Sequence, residues 1–410
     1  MRTGMRIALT ATAATILAGA VATAGESAEA NAGSDGFSLV SPDGAWKLEL
    51  SGVVHFDGRW FSSESASGDA DEWLLRRVRP SLEGSLGENV AFRIVPDFGE
   101  GDAKVVDAYV DAVLGDKLTL RAGKFKPPVG LERLQSSGSL RMVERSFVSE
   151  LVPNRDLGLA LSGGSQRLAW SAGLFNGVND GRSGDGDDDG NQEVALRVFS
   201  TPLKAADHGT TLGIGIAATY GETGGTSDAP LLSGYRSPGQ NTIFRYRSGD
   251  SPTIADGERL RISPQFYWYG GPLGLLGEWA RVRQDVRRTG ATFDLGATLE
   301  HEAWQLTGEW FVTGEDAGYR DPGSAGAVQL VARVARLSID DESFAGGTTS
   351  FADPADAVRR ASTVGAGVNW RPVESLKASL VYQHTSFDGG ASVGDRPDEK
   401  VVFLRLQQTF

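Results

Sequence analysis

The chain has 410 residues, a net charge of −13, 40% hydrophobic residues and no cysteine. Such acidity excludes a nucleic-acid partner, because phosphate backbones require a basic face. Beyond the first two dozen residues no run of about 18 apolar residues occurs, which excludes helical membrane spans.

The N-terminus reads as an export signal. Arg2 and Arg6 precede the apolar stretch 7–21, and Ala22-Thr23-Ala24 supplies a small-x-small cleavage pattern. Cleavage assigns residues 1–24 to a signal peptide, 25–44 to a short N-terminal segment and 45–410 to one domain. The absence of cysteine fits passage into the envelope, where a stray thiol is oxidised.

From Ala45 onward apolar and polar residues alternate in stretches of about ten, the period of a strand with one face in lipid. In the first stretch Trp46, Leu48, Leu50, Val54, Phe56 and Trp60 share one face, and Lys47, Glu49, Ser51, His55, Asp57 and Arg59 the other. Leu118, Leu120 and Ala122 repeat the pattern. Further on, Phe293, Leu295, Ala297 and Leu299 alternate with Asp294, Thr298 and Glu300. Trp304, Leu306, Trp310 and Val312 alternate with Gln305, Thr307 and Glu309. Tight turns at Gly87-Glu88, Gly115-Asp116, Gly270-Gly271 and Arg371-Pro372 mark one end of a barrel. Long polar loops at 62–72, 127–155, 178–190, 222–257, 314–326 and 341–360 mark the other. The count of candidate strands is about seventeen. Single-chain bacterial barrels have even numbers, so the expectation is an all-β, antiparallel transmembrane barrel of sixteen strands, with eighteen as the alternative. The last strand places Val402, Leu404, Leu406 and Phe410 on one face, an ending that resembles the signal presented to barrel assembly machinery.

If apolar faces meet lipid, Arg59, Arg77, Arg79, Arg93, Arg121, Arg197, Arg259, Arg261 and Arg405 point into the lumen. An arginine on the lipid face near the midplane costs ~2–4 kcal/mol, which gives the assignment an energetic reason. Guanidinium groups along a wet lumen attract anions, and their forked donors favour phosphate. The same alternation also turns Glu49, Asp57, Glu83, Asp97, Asp107, Asp111, Glu193, Asp294, Glu300 and Glu309 inward. Alternation alone leaves open whether the charges segregate or pair. The irregular stretch 124–156, about 30 residues long, is expected to fold into the lumen and narrow it. Its constriction candidates are Lys124, Lys126, Arg133, Arg141, Arg145 and Arg155, with Glu132 and Glu144 as partners.

Several segments together resemble the phosphate-selective porin O/P family. They are Arg76-Arg77-Val78-Arg79-Pro80, Asp97-Phe98-Gly99, Asp107-Ala108-Tyr109, Gly123-Lys124-Phe125-Lys126-Pro127 and Pro153-Asn154-Arg155-Asp156-Leu157-Gly158, followed by Leu174-Phe175-Asn176-Gly177 and Glu258-Arg259-Leu260-Arg261. The resemblance implies a homotrimeric, sixteen-stranded porin of the Gram-negative outer membrane. It further implies an arginine ladder and an inward third loop guiding phosphate or polyphosphate. The acidic residues Asp69, Asp71 and Glu72 of the first loop, and the run 185–189, depart from the basic mouth the family associates with phosphate specificity.

No other chemistry is indicated. The run Asp185-Gly186-Asp187-Asp188-Asp189-Gly190 opens like a calcium loop but has Leu196 where the bidentate Glu belongs. It therefore reads as a solvated acidic loop, with a surface site bridging Ca²⁺ or Mg²⁺ to lipopolysaccharide as the alternative. Outer-membrane lipid and lipopolysaccharide are the partners expected around the barrel. His55, His208, His301 and His384 lack metal-ligand spacing. No nucleophile elbow or nucleotide loop is present, so neither an enzyme nor a cofactor is expected. The function expected is a water-filled channel for small anions. A non-selective or closed barrel serving adhesion or envelope integrity is the alternative.

Overall fold

In a computed structural model of the protein, residues 28–33, 36–62, 71–115, 117–204 and 209–410 are described. The expected signal peptide, most of the first loop and His208 lie outside them.

Sixteen antiparallel strands close into a barrel. They are β1 Trp46–Phe61, β2 Glu72–Leu86, β3 Val90–Asp97, β4 Lys104–Val113, β5 Leu118–Phe125, β6 Asp156–Gly164, β7 Leu168–Phe175 and β8 Glu193–Leu203. The circuit continues with β9 Thr210–Gly224, β10 Thr253–Gly270, β11 Leu273–Gly290, β12 Phe293–Phe311, β13 Val328–Ser338, β14 Val358–Val373, β15 Leu376–Gly389 and β16 Glu399–Thr409. Each pairs with its sequence neighbour, and β16 closes on β1 from Val401↔Phe61 to Thr409↔Val53. Phe410 completes the seam by exchanging backbone hydrogen bonds with Gly52 at 2.9 and 3.2 Å. Below that point a hairpin of Glu29–Gly33 and Gly36–Val40 takes over as the partner of β1, from Phe37↔Leu50 to Val40↔Lys47. It keeps the lower edge of β1 from standing open.

The alternation in β1 and β16 runs as the period of two requires. His55 and Asp57 are fully buried in the lumen, whereas Trp46 is 61% exposed and Phe56 39% exposed on the outer face. In β16, Arg405 and Gln407 turn inward while Leu406 and Phe410 turn out.

Two departures from simple alternation matter. In β2 the register with β1 skips a residue between His55↔Arg77 and Phe56↔Leu75. This β-bulge turns the consecutive residues Arg76 and Arg77 both inward, as bulges near functional sites commonly do. The second departure corrects the reading of β12. That strand is continuous, and its lumen face is Leu299, His301, Ala303, Gln305, Thr307 and Glu309. Leu299 is therefore fully buried inside, while Asp294 and Glu300 are exposed on the outer face. The physical reason is that the upper part of β12 rises into water, so its outer face is polar and its inner face meets apolar loop residues.

The wall is uneven. Strands β3 to β7 have 8–10 residues, but β10, β11 and β12 have 18–19. At about 3.4 Å per residue and a tilt near 40°, the wall rises from roughly 20–25 Å to roughly 45–50 Å.

Inside the tall half the lumen is filled. The third loop, 126–155, and the fifth, 225–252, enter from the long-loop end. Val129, Phe147, Val148 and Leu151 of the first, with Tyr235, Ile243 and Phe244 of the second, form one apolar core against Ala280, Val282, Leu299, Ala303 and Leu337. The fifth loop carries a small hairpin of Tyr235–Arg236 and Thr242–Phe244, and its tip crosses to β16. There Glu399 accepts hydrogen bonds from Ser237 Oγ at 2.7 Å, Gly239 N at 3.1 Å and Asn241 Nδ2 at 2.7 Å.

The segment 312–327 corrects another expectation. It follows β12 and so lies at the short-turn end, whereas the turn at the long-loop end between β11 and β12 has only two residues. It reaches up into the lumen, where Tyr319 donates its hydroxyl to the Leu131 carbonyl at 2.6 Å. The Tyr319 carbonyl accepts from Gln135 Nε2 at 2.8 Å.

Candidate functional site

With one half of the lumen packed, the largest open space between the third loop and the wall lies on the side of β1 to β6. Two cavities lie there, one above the other. The upper, about 320 Å³, faces the long-loop end, and the lower, about 500 Å³, faces the short-turn end. Arg79 on β2 and Arg155 at the close of the third loop line both, so their guanidinium groups stand where the cavities meet. Each is held by a carboxylate from the wall. Arg79 Nε donates to Asp97 Oδ2 at 2.8 Å, and Arg155 Nε donates to Asp107 Oδ1 at 3.1 Å.

The charge around this junction is not balanced. Among the described residues lining the upper cavity, ten are Lys or Arg and five are Asp or Glu; in the lower cavity the numbers are five and one. The excess of cations occurs in a chain whose net charge is negative. Low-dielectric walls concentrate such a local field regardless of the total.

Much of the excess sits in the third loop. Arg133 binds the Ser149 carbonyl. Arg145 donates to the carbonyls of Glu132 at 3.2 Å and Gln135 at 2.9 Å. Lys126 donates to the carbonyls of Leu134 at 3.3 Å and Gln135 at 2.8 Å. None of the three forms an ion pair among the described residues. The carbonyls that hold Lys126 and Arg145 belong to or directly follow a single helical turn, Leu131–Leu134. Its two leading amides are taken by the Glu278 carboxylate at 2.6 and 3.2 Å. Acid at the start and base at the end is the arrangement a helical turn favours. Burial and the nearby Arg155 and Arg145 push the Lys126 ammonium well below the usual lysine range. Burial, with Arg133 beside it, brings Arg145 down to about 9, which leaves it charged at neutral pH.

The tip of the third loop is clasped to the barrel seam by Glu144. Its carboxylate takes Arg76 Nε at 2.8 Å and Arg405 Nη2 at 3.2 Å, with Arg59 and Arg77 each at 3.7 Å. Arg405 also grips Asp57 through two bonds of 2.6 Å. Burying these charges is costly, and only such multiple pairing offsets it.

The expected site residues therefore divide. Arg77, Lys124, Arg133 and Arg145 line the upper cavity, Arg93, Arg121 and Lys126 the lower, and Arg79 and Arg155 both. Lys124 pairs with Asp185, and Arg121 pairs with Asp111 at 2.7 Å while stacking 3.7 Å above the Tyr109 ring. Arg59 and Arg405 are buried in the seam clasp. Arg259 and Arg261 are locked on the far wall against Glu193 at 3.1 and 2.7 Å, Arg261 also reaching Asp180. Arg141 is tied to Glu309 at 2.9 Å deep in the filled half. Arg197 donates to Gln265 at 3.2 Å and stacks over Phe199. Alternation missed Arg76, whose inward turn depends on the bulge. The signal was present: Trp73 and Leu75 face out, and the next outward apolar residue is Val78, three positions on rather than two. Lys104, Arg182 and Arg236 of the upper cavity lie at strand ends or in loops, where period-two reasoning does not apply.

Comparison with known proteins agrees with this architecture. Porin O of Pseudomonas aeruginosa is 23% identical over 404 residues, covering 92% of this chain and 91% of that protein. The outer membrane channel DcaP of Acinetobacter baumannii superposes with a TM-score of 0.58 at 11% identity, covering 90% of this chain and 99% of that one. An anion-selective porin from Comamonas acidovorans gives 0.55 at 12% identity, covering 89% of this chain and 100% of that one. Residues 49–410 match the family described as phosphate-selective porin O and P. The chain belongs to that family and is an outer-membrane porin.

Proposed function

We propose that this porin passes small anions, with phosphate and polyphosphate as its preferred class. The observation that carries the reading is the meeting of the two cavities at Arg79 and Arg155, with Lys126, Arg133 and Arg145 close by and in no ion pair among the described residues. An anion entering the upper cavity gives up part of its hydration and gains guanidinium donors. Forked donors suit tetrahedral oxyanions better than a point charge does. Exit requires that no single position hold the anion too firmly, and a graded series of cations meets that need. Arg121 and Arg93 continue the series below the junction. The acids of the mouth, such as Asp185 against Lys124, temper capture without removing the excess of positive charge.

Planar-bilayer recording under a salt gradient tests this. The expected reversal potential has the sign of anion preference, and phosphate added to chloride should reduce the chloride current. Cation preference, or no step conductance from correctly folded protein, overturns the reading. We further propose a homotrimer, recruited to barrel assembly machinery through Phe410. Deleting Phe410 should lower the amount reaching the outer membrane, and chemical cross-linking should give a three-chain product.

A further inference from the structure

The tall wall carries a second arginine feature on its outer face, unconnected with the pore. The register places residues of neighbouring strands on common rungs, and the outer face changes character over three of them. One rung holds Leu306, Val334 and Val364, all exposed and apolar. Next toward the long-loop end come Trp279, Trp304 and Arg336. Arg281 and Glu302 follow, and above them Arg283 and Glu300. Tryptophans on the outside of a barrel mark the level where hydrocarbon gives way to headgroups. The arginines therefore stand at and just above the upper membrane boundary, and long loops place that boundary in the outward leaflet.

Their pairing is incomplete. Arg281 is engaged by Glu302 at 2.8 Å and Glu300 at 3.2 Å, and lies 5.3 Å over the Trp279 ring. Arg336 is exposed, and its one hydrogen-bond partner among the described residues is Ser362 Oγ at 3.0 Å. Arg283 is exposed on the same face and makes no hydrogen bond or ion pair among the described residues. We propose that Arg283 and Arg336 form a docking ridge for the phosphate groups of a phosphorylated lipid in the outward leaflet, Arg281 being fixed between them by its acids. The occupant follows from position: two guanidinium groups with no carboxylate partner among the described residues, at and just above the tryptophan rung of an apolar face, meet the headgroup of whichever lipid covers that face. Guanidinium binds phosphate through paired donors. This inference rests on the outer-membrane placement and is independent of what the lumen conducts.

The test uses the full chain refolded without lipid, with diphosphoryl lipid A as the probe and retained lipid read by native mass spectrometry. Wild type should retain it, and the double variant R283A/R336A should bind about thirty-fold more weakly. Dephosphorylated lipid A should bind wild type and variant equally weakly. Single-channel conductance of the variant, unchanged, confirms that the barrel has folded. Equal retention by wild type and variant, or retention that ignores the phosphates, overturns the ridge. So does a change in the number of chains per particle, which would make this face a protein interface instead.

Discussion

The two halves of the lumen use the same residue types for opposite ends. On the filled side Arg141, Arg259, Arg261 and Arg333 each meet a buried carboxylate, and loops crowd them with Phe, Tyr and Val. On the open side the wall arginines Arg79 and Arg121 also have carboxylates, but the third loop adds Lys126, Arg133 and Arg145, which among the described residues hydrogen-bond to carbonyls and form no ion pair. A carbonyl orients a cation without cancelling its charge. Pairing therefore builds the scaffold, and the lack of pairing builds the field.

Breaking a pair on the filled side should cost stability and leave permeation alone. Arg261→Ala takes the guanidinium away from Asp180 and leaves Glu193 to Arg259 alone, so a loss of up to about 3–5 kcal/mol is expected. The heat needed to unfold the barrel on a gel-shift assay should fall clearly. Anion selectivity of the channels that remain should match wild type. A selectivity change as large as that from a constriction residue would erase the distinction between the halves.

The reciprocal change is Arg155→Ala. It removes a cation from the junction and leaves Asp107 facing the passing anion. A penalty of about 1–2 kcal/mol for the anion corresponds to a five- to thirty-fold fall in the anion-to-cation permeability ratio. Arg121→Ala should do less, because its side chain is one-third exposed in the wider lower cavity, where water screens it. Equal effects of the two variants would place the selective step elsewhere.

How far the sequence discloses this division follows from what alternation can encode. Strands with lipid on one side and water on the other are legible, and the inward turn of Arg405 at the seam is recovered from Phe410 backwards, whereas its pairing with Asp57 is not. The upper part of β12 is not, because its inner face is covered by the fifth loop and its outer face by water, which reverses the usual sense of inside and outside. Ile243, Phe244 and Tyr246 are the available clue: three large, mainly apolar residues in four positions have no reason to sit in an exposed loop. Segment 312–327 is misplaced for a different reason. Length alone points to the long-loop end, whereas this segment is long because it climbs to Tyr319's place beneath the third loop. The cancellation of charge is the least legible property of all, since Glu144 meets Arg76 across 68 residues of sequence and Arg405 across 261.

The open side also makes a pH prediction. Burial and neighbouring arginines depress the Lys126 ammonium well below the ordinary value of about 10.4. A lysine with a depressed value is charged only below it, so raising the pH from mildly acid should discharge Lys126 before an ordinary lysine titrates. The chloride-to-potassium permeability ratio should fall along that course. K126R should move the fall to higher pH, since arginine holds its proton more firmly than lysine in the same surroundings. A wild-type ratio that holds steady until the ordinary lysine range contradicts the assignment of Lys126 to the field.

The smallest effect expected lies where the two halves touch. Tyr319 reaches from the short-turn end to the Leu131 carbonyl, at the helical turn whose far end Lys126 and Arg145 cap. Tyr319→Phe keeps the ring stacked on Tyr267, whose centroid is 5.6 Å away, and deletes only the hydroxyl. The net loss should be about 1 kcal/mol, the worth of one hydrogen bond exchanged with water. If the helical turn is held mainly by Glu278 and by its own carbonyl caps, single-channel conductance should stay near wild type while its open-state noise rises slightly. A large conductance change from so slight a deletion would show that segment 312–327, rather than the wall, sets the position of the cations. The filled half would then govern the field as well as the scaffold.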